Sequence, residues 1–139
     1  MDCRRFRDTL IVRIDRGEEI LAQMQAACAR ERVTLASVSA LGAIDDLTVG
    51  LFDVETRRYL SNHFTDAFEI VSLTGTVTTK DGAFYPHIHI SVGDREGRVF
   101  GGHLNRAVVS ATCEMVIRRL DGTVEREFDE TVGLNLMKF

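Results

Sequence analysis

At 139 residues the chain is long enough for one domain with its own hydrophobic core. Its 45% hydrophobic and 27% charged residues exclude a disordered tail, and the lack of any apolar run of about 18 residues excludes a membrane-spanning helix. The formal charge of −4, with arginines mixed among acids as in Arg118-Arg119-Leu120-Asp121 and Glu125-Arg126-Glu127, argues against a surface that grips phosphates; Arg4, Arg5 and Arg7 form the one small basic excess.

The first residues, Met1 to Asp8, lack the apolar stretch and small-residue cleavage site of a secretory signal, so a cytoplasmic location is expected. Phe6 to Ile14 alternates and is rich in β-formers, which predicts a strand. Asp15-Arg16-Gly17-Glu18 reads as an N-cap followed by a capping carboxylate. From Glu18 to Glu31, Ile20, Leu21, Met24, Ala27 and Cys28 fall on one face of an amphipathic helix, the only long one expected.

Beyond it the sequence turns β-rich. Strands are predicted over Val33 to Leu41, ended by Gly42, and over Leu47 to Asp53, before a polar loop at Glu55 to Arg58. A long strand from Phe68 to Thr78 closes at Lys80-Asp81-Gly82, and another from Tyr85 to Val92 closes at Gly93 to Gly97. Arg98 to Phe100 returns until Gly101-Gly102 breaks it. Val108 to Leu120 and Thr123 to Asp129 read as a last hairpin through Asp121-Gly122. Short loops between successive strands favour antiparallel pairing, giving one α+β domain over residues 1–139 built on a mainly antiparallel sheet.

The sharpest chemical signal is Pro86-His87-Ile88-His89-Ile90-Ser91-Val92. Side chains alternate across a strand, so His87 and His89 share one face while Ile88, Ile90 and Val92 take the other, toward the core. His103 follows the Gly93 to Gly97 turn, and an antiparallel return brings it beside them. Three imidazoles with a position left open match the logic of a catalytic zinc site, although iron, nickel, copper and cobalt also suit imidazole. The competing reading is a polar strand face carrying three unrelated histidines. His63, between Asn62 and Phe64 in an expected loop, reads as incidental to this cluster.

Glu69 lies in Ala67-Phe68-Glu69-Ile70-Val71-Ser72-Leu73-Thr74-Gly75, an apolar strand in which a buried carboxylate is costly unless paired or ligating. It reads either as a general base or histidine partner near the metal, or as an ion-pair partner of Arg98 or Arg106, or as open to water. Gly101-Gly102 permits positive φ or close backbone approach that helps to aim His103. Cys3, Cys28 and Cys113 form no C-x-x-C pattern and read as small apolar residues. No phosphate-binding glycine fingerprint is present.

These segments resemble a known family. Phe68-Glu69-Ile70-Val71-Ser72-Leu73-Thr74-Gly75, Pro86-His87-Ile88-His89-Ile90-Ser91, Gly97-Arg98-Val99-Phe100-Gly101-Gly102-His103-Leu104 and Leu41-Gly42-Ala43 are similar, in order and spacing, to elements of the plant and prokaryote conserved (PPC) domain. The resemblance runs from Phe6 to Asp129. It implies an α+β domain assembling as a homotrimer. Plant relatives join the domain to AT-hooks that enter the DNA minor groove, and stand-alone prokaryotic members are often named as candidate DNA-binding proteins by that association. No AT-hook occurs in this sequence. Bacterial and archaeal members keep the histidines and look like metal binders, which carries over to His87, His89 and His103. The fold also resembles acetolactate decarboxylase, whose metal is held by a similar H-x-H and H arrangement. The expected function is that of a trimeric protein with a divalent transition metal, zinc first, and chemistry on a small carbonyl or carboxylate compound in which Glu69 moves a proton. A DNA-associated regulator with Arg4, Arg5 and Arg7 as threefold-repeated basic arms, and a purely structural interaction module, are the alternatives.

Overall fold

A computed structural model describes all 139 residues: eight strands and a single helix. Strands β1 (Asp2–Phe6) and β2 (Thr9–Asp15) form a hairpin where the sequence suggests one strand, because Arg7 takes a positive φ and turns the chain. Helix α1 (Ile20–Arg30) buries Ile20, Met24, Ala27 and Cys28, the predicted face, with Leu21 partly buried beside them. Its cap differs from the expectation. Asp15 stays in β2, opposite Thr112, and so cannot cap the helix. Glu19 takes the role, accepting from the Leu21 and Ala22 amides at 3.1 and 2.7 Å, while the Glu18 carboxylate reaches back to the Asp15 amide at 2.8 Å.

The strands that follow are far longer than predicted. β3 runs unbroken over Ala36–Asp53, β4 over Arg58–Lys80, β5 over Ala83–Gly93 and β6 over Val99–Arg119. The apparent breaks are bulges. Register shifts fall between Ala40 and Gly42 and between Ile44 and Asp46, so the chain bends without leaving the sheet. The bends let the sheet curl onto itself. Its order is β1-β2-β6-β3-β4-β5, and β6 pairs again with β5, which closes β3, β4, β5 and β6 into a ring.

β6 is the spine. One edge pairs with β3 along most of its length; the other pairs with β5 over Val99 to His103 and with β2 over Thr112 to Arg118. The start of α1 fills the gap between these two partners: Gly17 donates to the Val109 carbonyl at 2.8 Å and Val109 to the Glu18 carbonyl at 3.0 Å. Inside, 26 buried apolar residues form one cluster that unites the helix face with Leu10, Val12, Ile14, Ile88, Ile90 and Val92. The predicted alternation therefore holds on β5: isoleucines and valine inward, histidines outward.

Two further expectations need correction. Gly101-Gly102 does not break β6; a side chain on Gly101 would overlap the Ile90 carbonyl oxygen, and one on Gly102 would come within 2.9 Å of the Gly50 carbonyl oxygen. The pair is there for close backbone approach, not for a positive φ. The terminal hairpin is also different. Asp121-Gly122 is a bend leaving the sheet, and β7 (Arg126–Asp129) pairs with β8 (Leu134–Met137) as a separate two-stranded ribbon. The segment leading into that ribbon is tied to the edge of β4, where the Thr79 amide donates to the Val124 carbonyl at 3.1 Å.

Gly101→Ala is expected to lower stability by about 1–3 kcal/mol, the range for overpacking. Urea denaturation checks this; an unchanged midpoint would contradict the tight β5–β6 approach.

Candidate metal centre

His87 and His89 stand two residues apart on the outer face of β5, opposite Thr76 and Thr74 of β4. His103 is directly opposite His89 across the β5–β6 pairing and, on its other side, opposite Gly50 of β3. Residues opposite one another in antiparallel strands project to the same face, so the closure of the ring brings the third imidazole to the first two. The ring centroids are 5.2 Å apart for His87 and His89, 5.3 Å for His87 and His103, and 5.6 Å for His89 and His103. One nitrogen from each ring lies within 4.8 Å of the others. A tetrahedral ion bonded at about 2.0–2.1 Å needs nitrogens about 3.3 Å apart, which modest rotations of the three rings supply.

The electrostatics fit such a role. Burial holds the His87 pKa below its ordinary value, with the Arg126 charge and His89 adding to the effect. Burial does the same at His103, helped by His87 and His89. Both rings are therefore neutral at pH 7, with lone pairs free to ligate.

A cavity of about 540 Å³ opens beside the triad. Phe52 and Tyr59 wall it on one side; Tyr59 turns its ring edge toward His103 at 6.4 Å and donates its hydroxyl to Asn105 Oδ1 at 2.7 Å. The C-terminal ribbon supplies the other wall through Arg126, Leu134, Asn135 and Leu136. Arg126 is buried; it donates through Nε to Thr78 Oγ1 at 2.8 Å and through Nη1 to the Asn135 carbonyl at 2.9 Å. None of these cavity residues beyond the histidines is apparent from sequence, since each comes from a separate element without a motif. The one signal pointing at Arg126 is weak: it is the middle of an alternating Glu-Arg-Glu run that otherwise reads as surface.

Glu69 is not brought to this site. It is exposed on β4, opposite Gly93, four residues along β5 from His89 and so about 13 Å away along the strand. The burial expected of it does not occur, because its side shares the outer face of the sheet. Arg98 and Arg106, its alternative partners, pair instead with Asp94 and Glu96 and with Asp46. His63 also lies apart; it stands in β4 opposite Thr48, not in the expected loop, because the strand runs on from Arg58, and its Nε2 is 3.0 Å from Asp46 Oδ1. Cys28 and Cys113 are buried, with thiols pushed up to about 12 and about 11 by burial, which suits inert packing.

The sequence profile of the Plants and Prokaryotes Conserved (PCC) domain matches residues 1–121. The chain belongs to the PCC domain family. A candidate DNA-binding protein of Bacteroides thetaiotaomicron has the same fold, with a TM-score of 0.97 and 28% identity over 99% of this chain and 96% of that one. A metal-containing protein of Archaeoglobus fulgidus superimposes with a TM-score of 0.89 and 34% identity over 94% of this chain and 93% of that one. The bifunctional protein GlmU of Synechococcus is 33% identical over 98 residues, which are 69% of this chain and only 14% of that protein.

The lowered imidazole pKa values predict a pH dependence. Metal-free protein binds fewer protons at His87 and His103 than the unfolded chain does, so this contribution to stability is complete above the unfolded value of 6.5. It is lost as pH falls from 6.5 toward the lower folded values. Urea melts of the metal-free PCC domain between pH 7.5 and pH 5 are expected to show the decline, and a His87→Gln, His103→Gln variant to flatten it.

Proposed function

We propose that His87, His89 and His103 hold one divalent transition metal, zinc first, and that the adjoining cavity receives a small carbonyl or carboxylate compound. The convergence of three imidazoles from two strands onto one cavity carries this reading. A PCC relative from Archaeoglobus fulgidus that is 34% identical is itself named as metal-containing, which supports it. Three histidines with an open position favour zinc under the logic of catalytic sites. A bound ion would supply Lewis-acid polarisation of a ligand oxygen. The protein's own residues shape the rest: Phe52, Leu134 and Leu136 give the cavity apolar walls, and the Tyr59 ring lies beside His103. An acetolactate-decarboxylase-like architecture is part of the same proposal, supported by the ring of strands with histidines on its outer face.

The assembly proposed is a homotrimer. An exposed apolar patch supports it: Leu41, Val71 and Val99 are 58, 57 and 59% exposed, and strand register places Val71 beside Leu41 and over Gly93, the partner of Val99. A second reading, association with DNA, draws on the name of the Bacteroides thetaiotaomicron relative and on Arg4, Arg5 and Arg7, which are exposed on β1 and its turn. Repetition in a trimer would multiply that small basic patch. Against it stand the net charge of −4 and the partial neutralisation of Arg5 by Glu31 at 3.9 Å.

Elemental analysis of untagged protein is expected to find about one equivalent of metal per chain, lost in His87→Ala, His89→Ala and in His103→Ala. Full metal content in these variants would sink the assignment. By light scattering, the native protein is expected at three times the chain mass of 15.6 kDa, and Val71→Asp at the single-chain mass. A wild-type monomer would refute the trimer.

A further inference from the structure

Arg126 is the one side chain of permanent charge that lines the cavity, and it is 7% exposed. Its guanidinium carbon stands 4.8 Å above the Tyr85 ring, and Thr78 and the Asn135 backbone accept from Nε and Nη1. Asn135 in turn donates through Nδ2 to the Tyr85 hydroxyl at 3.3 Å. These neutral partners fix the plane of the fork, but none brings a negative charge, and no carboxylate pairs with it. Nη2 is left buried without a hydrogen-bond partner.

A buried cation without a counter-ion is expensive, and a buried donor without an acceptor calls for a group that completes it. Arginine's rigid fork matches a carboxylate, and a charge-assisted hydrogen bond is roughly twice as strong as a neutral one. We propose that Arg126 anchors the carboxylate of a small monoanionic ligand in this cavity, with the rest of the ligand lying along the apolar wall toward the histidines. The single guanidinium, with no second permanently charged side chain lining the cavity, matches a monocarboxylate better than a phosphate dianion. Phe52, Leu134 and Leu136 suit a short apolar body. Arg126 lies on β7, beyond the 1–121 stretch matched to the family. The inference deepens the proposed function by naming its ligand class, and rests on the metal reading only for the ligand's other end.

The test is calorimetric titration of the protein as isolated with propanoate and with propanamide, its neutral counterpart. Propanoate is expected to bind, and propanamide to bind about tenfold or more weakly. Arg126→Gln is expected to weaken propanoate by a similar factor, and Arg126→Lys to fall between. Equal binding of the two probes, or equal binding of propanoate to wild type and Arg126→Gln, would overturn the subsite. Because Arg126 also ties the ribbon to the sheet, a co-crystal structure of the wild type with propanoate provides a test that needs no variant. A carboxylate within hydrogen-bond reach of Nη2 supports the proposal, and one seated elsewhere refutes it. Arg126-dependent binding to a protein that holds no metal would keep the subsite and reject the metal. Retained metal with binding indifferent to Arg126 would do the reverse.

Discussion

Everything at the candidate site depends on β6 being hydrogen-bonded on both edges at the level of His103. There the strand faces His89 of β5 on one side and Gly50 of β3 on the other. This double pairing fixes the third imidazole to the first two with backbone bonds, not with a flexible loop. It demands close approach, which is why glycines occupy positions 101 and 102. The ring of strands thus gathers three imidazoles whose nitrogens lie within 4.8 Å of one another, while the opposite face of the same strands fills the core.

The two charge types in the cavity are held differently. The imidazoles at His87 and His103 are neutral because burial and neighbouring positive groups penalise protonation, which readies them to ligate at neutral pH. Arg126 cannot shed its proton, so its burial is tolerated through the Tyr85 face, Thr78 and Asn135, and remains incomplete at Nη2. A cavity with the His87 and His103 imidazoles at one end and an unsatisfied cation at the other is polarised. A ligand with a neutral donor oxygen and a carboxylate matches both ends.

Much of this was legible in the sequence where local periodicity governs. The helix face from Ile20 to Cys28 and the alternation of His87 and His89 with Ile88 and Ile90 follow directly from 3.6- and 2-residue repeats. The lengths of β3 and β6 were not legible, because Gly42, Gly101 and Gly102 look like stops in a linear reading. In three dimensions they mark bulges and close strand contacts. Glu69 misled for a related reason: apolar neighbours suggested burial, but the side chain falls on the outer face. The C-terminal ribbon escaped a linear reading altogether. Asp121-Gly122 has the composition of a hairpin turn, yet β7 finds its partner in β8, and only that pairing carries Arg126 over Thr78 and into the cavity.

The central claim is that three imidazoles from β5 and β6 bind one ion and leave a position open. X-ray absorption at the metal edge of the purified PCC domain tests it most directly. The account predicts three imidazole nitrogens at about 2.0–2.1 Å and a single light oxygen-type neighbour if the metal is zinc. A shell containing sulfur, or one with fewer than three imidazoles, would contradict it.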